Sequence, residues 1–224
     1  MNKPTVYIYG DSFADPSWGE PNNYNTVWPL ALAEHYTVIN RALKGTGPEY
    51  SIDQLCRDQP PKPNSVCIFV LSDPHRLYLQ NFWKHDNQQV HIYDVAQKRF
   101  KHPGYMFARQ LFEHYLTDCT YANRIAQTIG AVNSLTHTYT RTLIWPIAPV
   151  AIDLRLDPSV TLIQRGLLDI STAEYSANNK GDPTRDPRPN HLSEVNHRVM
   201  LSQMLAWIED SVVPDDQAFV SCCA

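Results

Sequence analysis

Three residues near the amino terminus combine a tight turn with two side chains that could do chemistry. Gly10, Asp11 and Ser12 follow directly after the run Thr-Val-Tyr-Ile-Tyr at positions 5–9. That run is β-branched and aromatic, which predicts a short buried strand. Gly10 permits a turn that a side chain would forbid, so a carboxylate and a hydroxyl follow at the end of the strand. In open α/β sheets, ligands bind at this end of the strands.

Two other places along the chain carry polar side chains in comparable settings. Ser72 and Asp73 come directly after the most continuous apolar run, residues 65–71, which predicts a central strand of a parallel sheet. His191 lies two residues before Ser193, a residue type that commonly caps the start of a helix. A docked helix would fix the loop that carries His191.

The sequence around Ser12 resembles the first block of the SGNH (GDSL-type) hydrolases, which reads Gly-Asp-Ser. Asn40 followed five residues later by Gly45 has the spacing of the second block, and residues 191–193 are similar to the last one. The blocks occur in the family's order over nearly the whole chain. For a divergent member, the resemblance implies an α/β fold, a three-layer α/β/α sandwich with a mainly parallel, flavodoxin-like sheet.

The same resemblance implies a catalytic mechanism and its residues. Ser12 would be the nucleophile and His191 the general base. The backbone N–H groups of Ser12 and Gly45 would form the oxyanion hole, with the Ser72 hydroxyl as a further donor. Asp11 and Asp73 are expected to shape the site. The mechanism requires no metal and no cofactor.

Three positions depart from the family's pattern. In the third block, Val70 stands where the family has a glycine, and Ser72 stands where it has an asparagine that donates to the oxyanion. In the last block, Arg188 stands where an aspartate orients the histidine. Asp186 is the nearest upstream carboxylate and is predicted to orient His191. The alternative is that Asp186 pairs with a neighbouring arginine, and that a backbone carbonyl or a water molecule orients the imidazole.

The predicted activity is hydrolysis of carboxylic esters, and the expected partner is a small-molecule or saccharide ester. The segment after Ser12, residues 14–25, is polar and rich in aromatic residues, which favours a small acyl group such as O-acetyl on a saccharide. The alternative is a catalytically degenerate module of the same fold that binds glycans or has a structural role. The departures at Ser72 and Arg188 favour that alternative.

Composition argues against several other classes of protein. The 224 residues fit a single domain, 1–224, and a net charge of −4 with scattered Lys and Arg gives no basic face for nucleic acid. No apolar run approaches the roughly 18 residues of a membrane helix, and no signal-peptide apolar region precedes the first strand. We therefore expect no membrane partner and a cytoplasmic location. Five cysteines without metal-ligand spacing fit a reduced compartment. The oligomeric state stays open.

Hydrophobic periodicity predicts the elements that position these residues. The predicted strands cover residues 5–9, 36–40, 65–71 and 141–145. The predicted helices cover residues 29–35, 51–57, 161–168 and 194–209, with two consecutive helices over 104–132 that break near Asp118. An insertion at about residues 76–118, with a hairpin over 90–101, exceeds what a minimal version of this fold needs.

Overall fold

Five parallel strands form a sheet in the residues that the computed structural model describes, which are 3–18, 27–74, 76, 118–171 and 192–219. The strands are β1 (Thr5–Tyr9), β2 (Thr37–Asn40), β3 (Ser65–Leu71), β4 (Arg141–Pro146) and β5 (Val160–Leu162). Their order across the sheet is β2-β1-β3-β4-β5, and every neighbouring pair is parallel.

The strand order reverses direction at β1. From β1 the chain moves outward to β2 and then crosses back over β1 to reach β3. This order is the flavodoxin-like form of a doubly wound sheet, in which the ligand crevice lies at the reversal, outside the carboxyl ends of the strands. The loops that follow β1, β2 and β3 therefore lie at the same end of the sheet.

Helices cover both faces of this sheet. They are α1 (Trp28–Ala33), α2 (Pro48–Arg57), α3 (Asp118–Leu135) and α4 (Glu194–Asp210), with a further helical segment at 167–171. Helix α1 packs with α4, and α2 packs with α3. Ser193 caps α4 as predicted, because its side chain accepts a hydrogen bond from the N–H of Asn196.

Alternate residues of the central strands divide between two cores. Val6 and Ile8 belong to the core that contains residues of α1 and α4, whereas Tyr7 and Tyr9 belong to the core that contains residues of α2 and α3. Strand β3 is buried along its whole length, as expected for a parallel strand covered on both faces. The predicted α/β class, with three α/β/α layers, is confirmed.

The predicted helix over 161–168 is wrong. Val160–Leu162 is strand β5, which pairs with β4 at the edge of the sheet, and the helical segment begins only at residue 167. Gly166 precedes this segment, and a Cβ on it would lie 2.6 Å from the carbonyl oxygen of Ile147. The chain thus passes directly against the residue after β4 just before the helical segment begins.

Other boundaries differ by a few residues. Helix α2 begins at Pro48, three residues before the predicted start, and α3 extends to Leu135. The described part of α3 starts at Asp118, so the predicted break near Asp118 and the first of the two predicted helices lie outside the described residues. The hairpin over 90–101 and, apart from Arg76 and Asp118, the insertion lie outside them too. None of the described helices is long and apolar enough to cross a membrane.

Candidate active site

The turn after β1 can be made only with glycine at its first position. Gly10 has φ +154°, and a Cβ on it would lie 2.7 Å from the Cβ of Val70 and 3.0 Å from the carbonyl oxygen of Val70. The end of β1 therefore lies directly against the end of β3. This close contact sets the position of the two residues that follow, Asp11 and Ser12.

Asp11 organises that turn through its side chain and its backbone. Its carboxyl oxygen Oδ1 accepts from the N–H of Phe13 at 3.1 Å. Its carbonyl oxygen accepts from the N–H groups of Ala14 and Asp15 at 3.0 and 2.9 Å. Asp11 is completely buried. Asp11 thus fixes the backbone of the three residues that follow Ser12.

Ser12 makes no hydrogen bond within the described residues, either through its hydroxyl or through its backbone N–H. Only 6% of its surface is exposed, and within the described residues its hydroxyl has no hydrogen-bond partner. Its backbone N–H also has no acceptor there, although the next three N–H groups, those of Phe13, Ala14 and Asp15, are all paired. A buried N–H group without a partner is unusual and calls for an explanation.

The loop after β2 has the same pattern around Gly45. The N–H of Leu43 donates to the carbonyl of Gly10 at 3.1 Å, and the N–H of Lys44 donates to Oδ2 of Asp15 at 2.8 Å. The N–H of Thr46 returns to the carbonyl of Leu43 at 3.3 Å. Gly45 lies between them with φ +78°, and its N–H has no acceptor within the described residues.

Asn40, at the end of β2, fixes the two loops to each other. Its Nδ2 donates to the carbonyl of Ala14 at 2.9 Å, and its Oδ1 accepts from the N–H of Ala42 at 2.8 Å. Together with the bonds from Leu43 and Lys44, this amide holds the loop of Gly45 against the loop of Ser12. The two N–H groups that lack an acceptor in the described part of the chain, those of Ser12 and Gly45, therefore lie on loops that are hydrogen-bonded to each other.

Ser72 connects the ends of three strands. Its fully buried hydroxyl lies 3.0 Å from Oδ2 of Asp11 and 2.7 Å from the carbonyl oxygen of Thr46. A hydroxyl has one proton, so it can donate fully to only one of these two acceptors. In this arrangement the proton points at protein atoms, and the predicted role of Ser72 as an oxyanion donor stays a prediction.

If the Asp11 carboxyl is protonated, the buried Asp11 carboxyl, Ser72 hydroxyl and Thr46 carbonyl can all be hydrogen-bonded at the same time. Burial raises the pKa of the Asp11 carboxyl, and the nearby guanidinium of Arg76 offsets this only in part. A neutral carboxyl can donate to the Ser72 oxygen, which leaves the Ser72 proton for the carbonyl of Thr46. The three groups then form a chain of hydrogen bonds without a competing acceptor.

Arg76 is a residue of this region that sequence reasoning did not assign to the site. A Cβ on Gly45 would lie 4.0 Å from Nη1 of Arg76, which places the guanidinium beside Gly45. Its position four residues after Ser72, close to the end of β3, is the signal that could have identified it. Thr46 was also missed, because it acts through its carbonyl, which carries no side-chain signature.

The predicted site residues thus fall into two groups. Asp11, Ser12, Gly45 and Ser72 lie on adjoining loops at one end of the sheet, while His191 and Asp186 lie outside the described residues. Asp73 is placed just after β3, where its carbonyl accepts from the N–H of Arg76 at 3.0 Å.

The two residues that follow His191 in the chain, Leu192 and Ser193, are described. Leu192 is 1% exposed and belongs to the same core cluster as Phe13, the neighbour of Ser12. Among the described residues, no group of three or more His, Cys, Asp or Glu side chains could hold a metal ion.

Comparison with known proteins returns structures but no sequence match. The chain matches no protein-family model and no curated protein. Solved structures similar to it include an esterase and a lipase. The psychrotrophic esterase EstA from Pseudoalteromonas is 11% identical, with a TM-score of 0.48, and the match covers 93% of this chain and 98% of that chain.

Two other solved structures are similar to the same extent. TesA is 11% identical with a TM-score of 0.45, and the match covers 93% of this chain and 99% of that one. A GDSL-like lipase from Bacteroides thetaiotaomicron is 10% identical with a TM-score of 0.46, over 94% and 89% of the two chains. At such low identity, the chemistry of this chain has to be inferred from its own residues.

Proposed function

We propose that this protein is a serine esterase, which hydrolyses carboxylic esters through an acyl-enzyme on Ser12. One observation carries the proposal. In two joined turns whose neighbouring amides are bonded, the N–H groups of Ser12 and Gly45 have no acceptor within the described residues. One of them belongs to the residue that carries an unpaired hydroxyl. Preorganised N–H donors beside a serine are what a tetrahedral oxyanion requires.

The first half of the reaction forms the acyl-enzyme. Oγ of Ser12 attacks the ester carbonyl carbon, and its proton passes to the imidazole of His191. The π electrons of the carbonyl move to its oxygen, which becomes an oxyanion and accepts hydrogen bonds from the N–H groups of Ser12 and Gly45. When this intermediate collapses, the bond to the alcohol oxygen breaks, and His191 returns the proton to the leaving alcohol.

The second half releases the acid. A water molecule attacks the acyl carbon and gives a proton to His191, forming a second oxyanion in the same place. The bond between the acyl carbon and Oγ of Ser12 then breaks, and Oγ takes the proton back. The products are one carboxylic acid and one alcohol, and no other reactant is needed.

The base in this mechanism is assigned from the sequence resemblance, and the described residues next to it support the assignment. Leu192 is anchored in the core cluster of Phe13, and Ser193 caps α4. Asp186 remains the proposed orienter of His191.

The substrate class is a finer part of the proposal. We infer a small acyl group, such as an acetyl ester of a saccharide, from the polar and aromatic composition of residues 14–25. A panel of acetyl, butyryl and long-chain esters tests this inference. Turnover confined to the long chains would contradict it without touching the esterase proposal.

Labelling with a fluorophosphonate probe tests the esterase proposal. The probe should form an adduct on Ser12, identified by mass analysis of the peptide, and the adduct should disappear in Ser12→Ala and His191→Ala. Matched controls are Ser17→Ala on the same loop and His35→Ala on the surface, both of which should label normally.

The contrary outcome is a well-folded protein that forms no adduct. Saccharide binding that is unaffected by Ser12→Ala would then favour the alternative, a degenerate glycan-binding module. The occupied hydroxyl of Ser72 is the observation that supports this second candidate, because a binding module needs no side-chain oxyanion donor.

A further inference from the structure

Arg76 is held in place through its backbone. Its N–H donates to the carbonyl of Asp73 at 3.0 Å, and its own carbonyl accepts from Nη2 of Arg124 at 3.4 Å. Arg124 lies on α3 and also donates to the carbonyl of Pro74 and to the carboxylate of Glu49 on α2. Two helices on one face of the sheet thus fix the short segment that carries Arg76.

The guanidinium of Arg76, by contrast, has no hydrogen-bond partner among the described residues. Its Nε is buried without a hydrogen bond, and neither a carboxylate nor a carbonyl in the described part of the chain accepts from the head group. A guanidinium carries a positive charge and five N–H donors. A buried and unsatisfied donor of this kind is costly unless it meets an external acceptor.

The location of this cation indicates which acceptor it meets. Nη1 lies 4.0 Å from where a Cβ on Gly45 would be, so the guanidinium lies beside the residue that carries one of the two N–H groups without an acceptor in the described part of the chain. Its charge also lowers the pKa of Asp11, the neighbour of Ser12, so Arg76 is close to the turn after β1 as well. Arg76 therefore lies in the same region as Ser12 and Gly45.

Ser72 is poorly placed to act as the side-chain donor of the same region. Its single proton is already used by a buried acceptor, which is the carbonyl of Thr46 when Asp11 is protonated. Turning the hydroxyl toward a substrate would break a buried hydrogen bond, whereas the guanidinium of Arg76 makes no hydrogen bond within the described residues.

We propose that Arg76 supplies the side-chain donor of the oxyanion hole, in place of Ser72. The inference rests on the proposed esterase function. In the two tetrahedral intermediates, the guanidinium donates to the same oxygen as the N–H groups of Ser12 and Gly45, and its positive charge balances the negative charge on that oxygen. Arg76 would then contribute to the transition state and little to binding of the neutral ester.

The test compares wild-type protein with Arg76→Gln, Arg76→Lys and Arg76→Ala. For each, we would measure kcat and KM for p-nitrophenyl acetate, the rate constant of fluorophosphonate labelling, and the thermal midpoint. Arg57→Gln is the matched control, because Arg57 is an exposed arginine that pairs with Asp53 on α2 at 2.9 Å. Ser72→Ala is included to compare the two candidate donors.

The expected result is a loss of about 10²–10³ in kcat and in labelling rate for Arg76→Gln, with KM nearly unchanged. Arg76→Lys should keep part of the rate, and added guanidinium at millimolar concentration should partly restore Arg76→Ala. Such rescue would not occur if Arg76 only supported the fold. Arg57→Gln should match the wild type.

Three results would overturn the inference while the esterase proposal stands. They are wild-type rates in Arg76→Gln, an effect of Arg76→Gln confined to KM with kcat unchanged, and a full loss of rate in Ser72→Ala but not in Arg76→Gln. Absence of labelling in the wild type would instead overturn the esterase proposal, and the inference with it.

Discussion

Asp11 is a buried carboxyl whose protonation state affects the stability of the fold. Burial raises its pKa, Arg76 lowers it in part, and the charge of Asp73 raises it further. In the unfolded chain an aspartate has a pKa of about 3.9. Because the folded-state pKa is higher than the unfolded-state value, the stabilising contribution of the neutral acid is complete below the unfolded-state pKa. It is lost as the pH rises through the folded-state pKa.

Asp11→Asn should remove this pH dependence. An amide can accept from the N–H of Phe13 and donate to the Ser72 oxygen, as the protonated acid does. We therefore expect the free energy of unfolding of the variant, relative to wild type, to increase between about pH 4 and about pH 7. Urea unfolding at both pH values measures it.

Asp157→Asn is the matched control, for which the difference in stability from wild type should change with pH in the opposite direction. The backbone N–H and hydroxyl of Ser159 lower the pKa of the exposed Asp157. Its contribution is therefore present above the unfolded-state pKa and lost as the pH falls, so the relative stability of this variant should decrease as the pH rises. A constant difference between Asp11→Asn and wild type would contradict the assignment.

Glycine stabilises one element of this protein and destabilises another, and a glycine-to-alanine substitution in each element distinguishes the two cases. In the turn after β1, Gly10→Ala would put a Cβ 2.7 Å from the Cβ of Val70 at φ +154°. Such overpacking should cost about 1–3 kcal/mol of unfolding free energy and slow fluorophosphonate labelling, since Ser12 moves with the turn. Thermal and urea unfolding measure the first effect.

Gly130 on α3 is the control for this substitution. A Cβ on it would have nothing within 4 Å, so Gly130→Ala should stabilise the helix by about 0.5–1 kcal/mol and leave labelling unchanged. Equal effects of the two substitutions would mean that the turn does not require glycine.

The elements of the fold differ in how far the sequence predicts them. Strands β1 and β3 are continuous apolar runs and were predicted at their observed positions. Strand β5 was missed, because three residues are too few for a period and its pairing with β4 is a tertiary contact.

The candidate site divides in the same way. Ser12 and Gly45 follow from residue type at the end of a strand. Arg76 does not, because its placement depends on Arg124, an arginine 48 residues away whose bonds to the segment after β3 cannot be inferred from local sequence.

At the scale of the whole molecule, α4 completes one of the two cores. Met200, Met204 and Trp207 are buried with Trp28 of α1 and with residues of β1 and β3. Arg141 on β4 also donates to the carbonyl of Trp207 at 2.7 Å, near the end of α4. This helix therefore connects the first and the later strands of the sheet.

Met204→Ala should be strongly destabilising. Met204 is fully buried, and replacing such a side chain by alanine typically costs about 2–5 kcal/mol. The control is Val213→Ala, because Val213 is 58% exposed and its loss should change stability by less than about 0.5 kcal/mol. Urea unfolding compares them, and a cost for Met204→Ala as small as that of the control would mean that α4 does not seal this core.

The position of α4 in the chain has a consequence for synthesis on the ribosome. Translation proceeds from the amino terminus, so the nucleophile loop, the Gly45 loop and strands β1 to β3 are made early. The apolar side chains of β1 and β3 that α4 covers must wait for Met204 and Trp207. From the synthesis of Leu71 until that of Trp207, the nascent chain carries an open apolar face, on which a chaperone could act or a second nascent chain could aggregate.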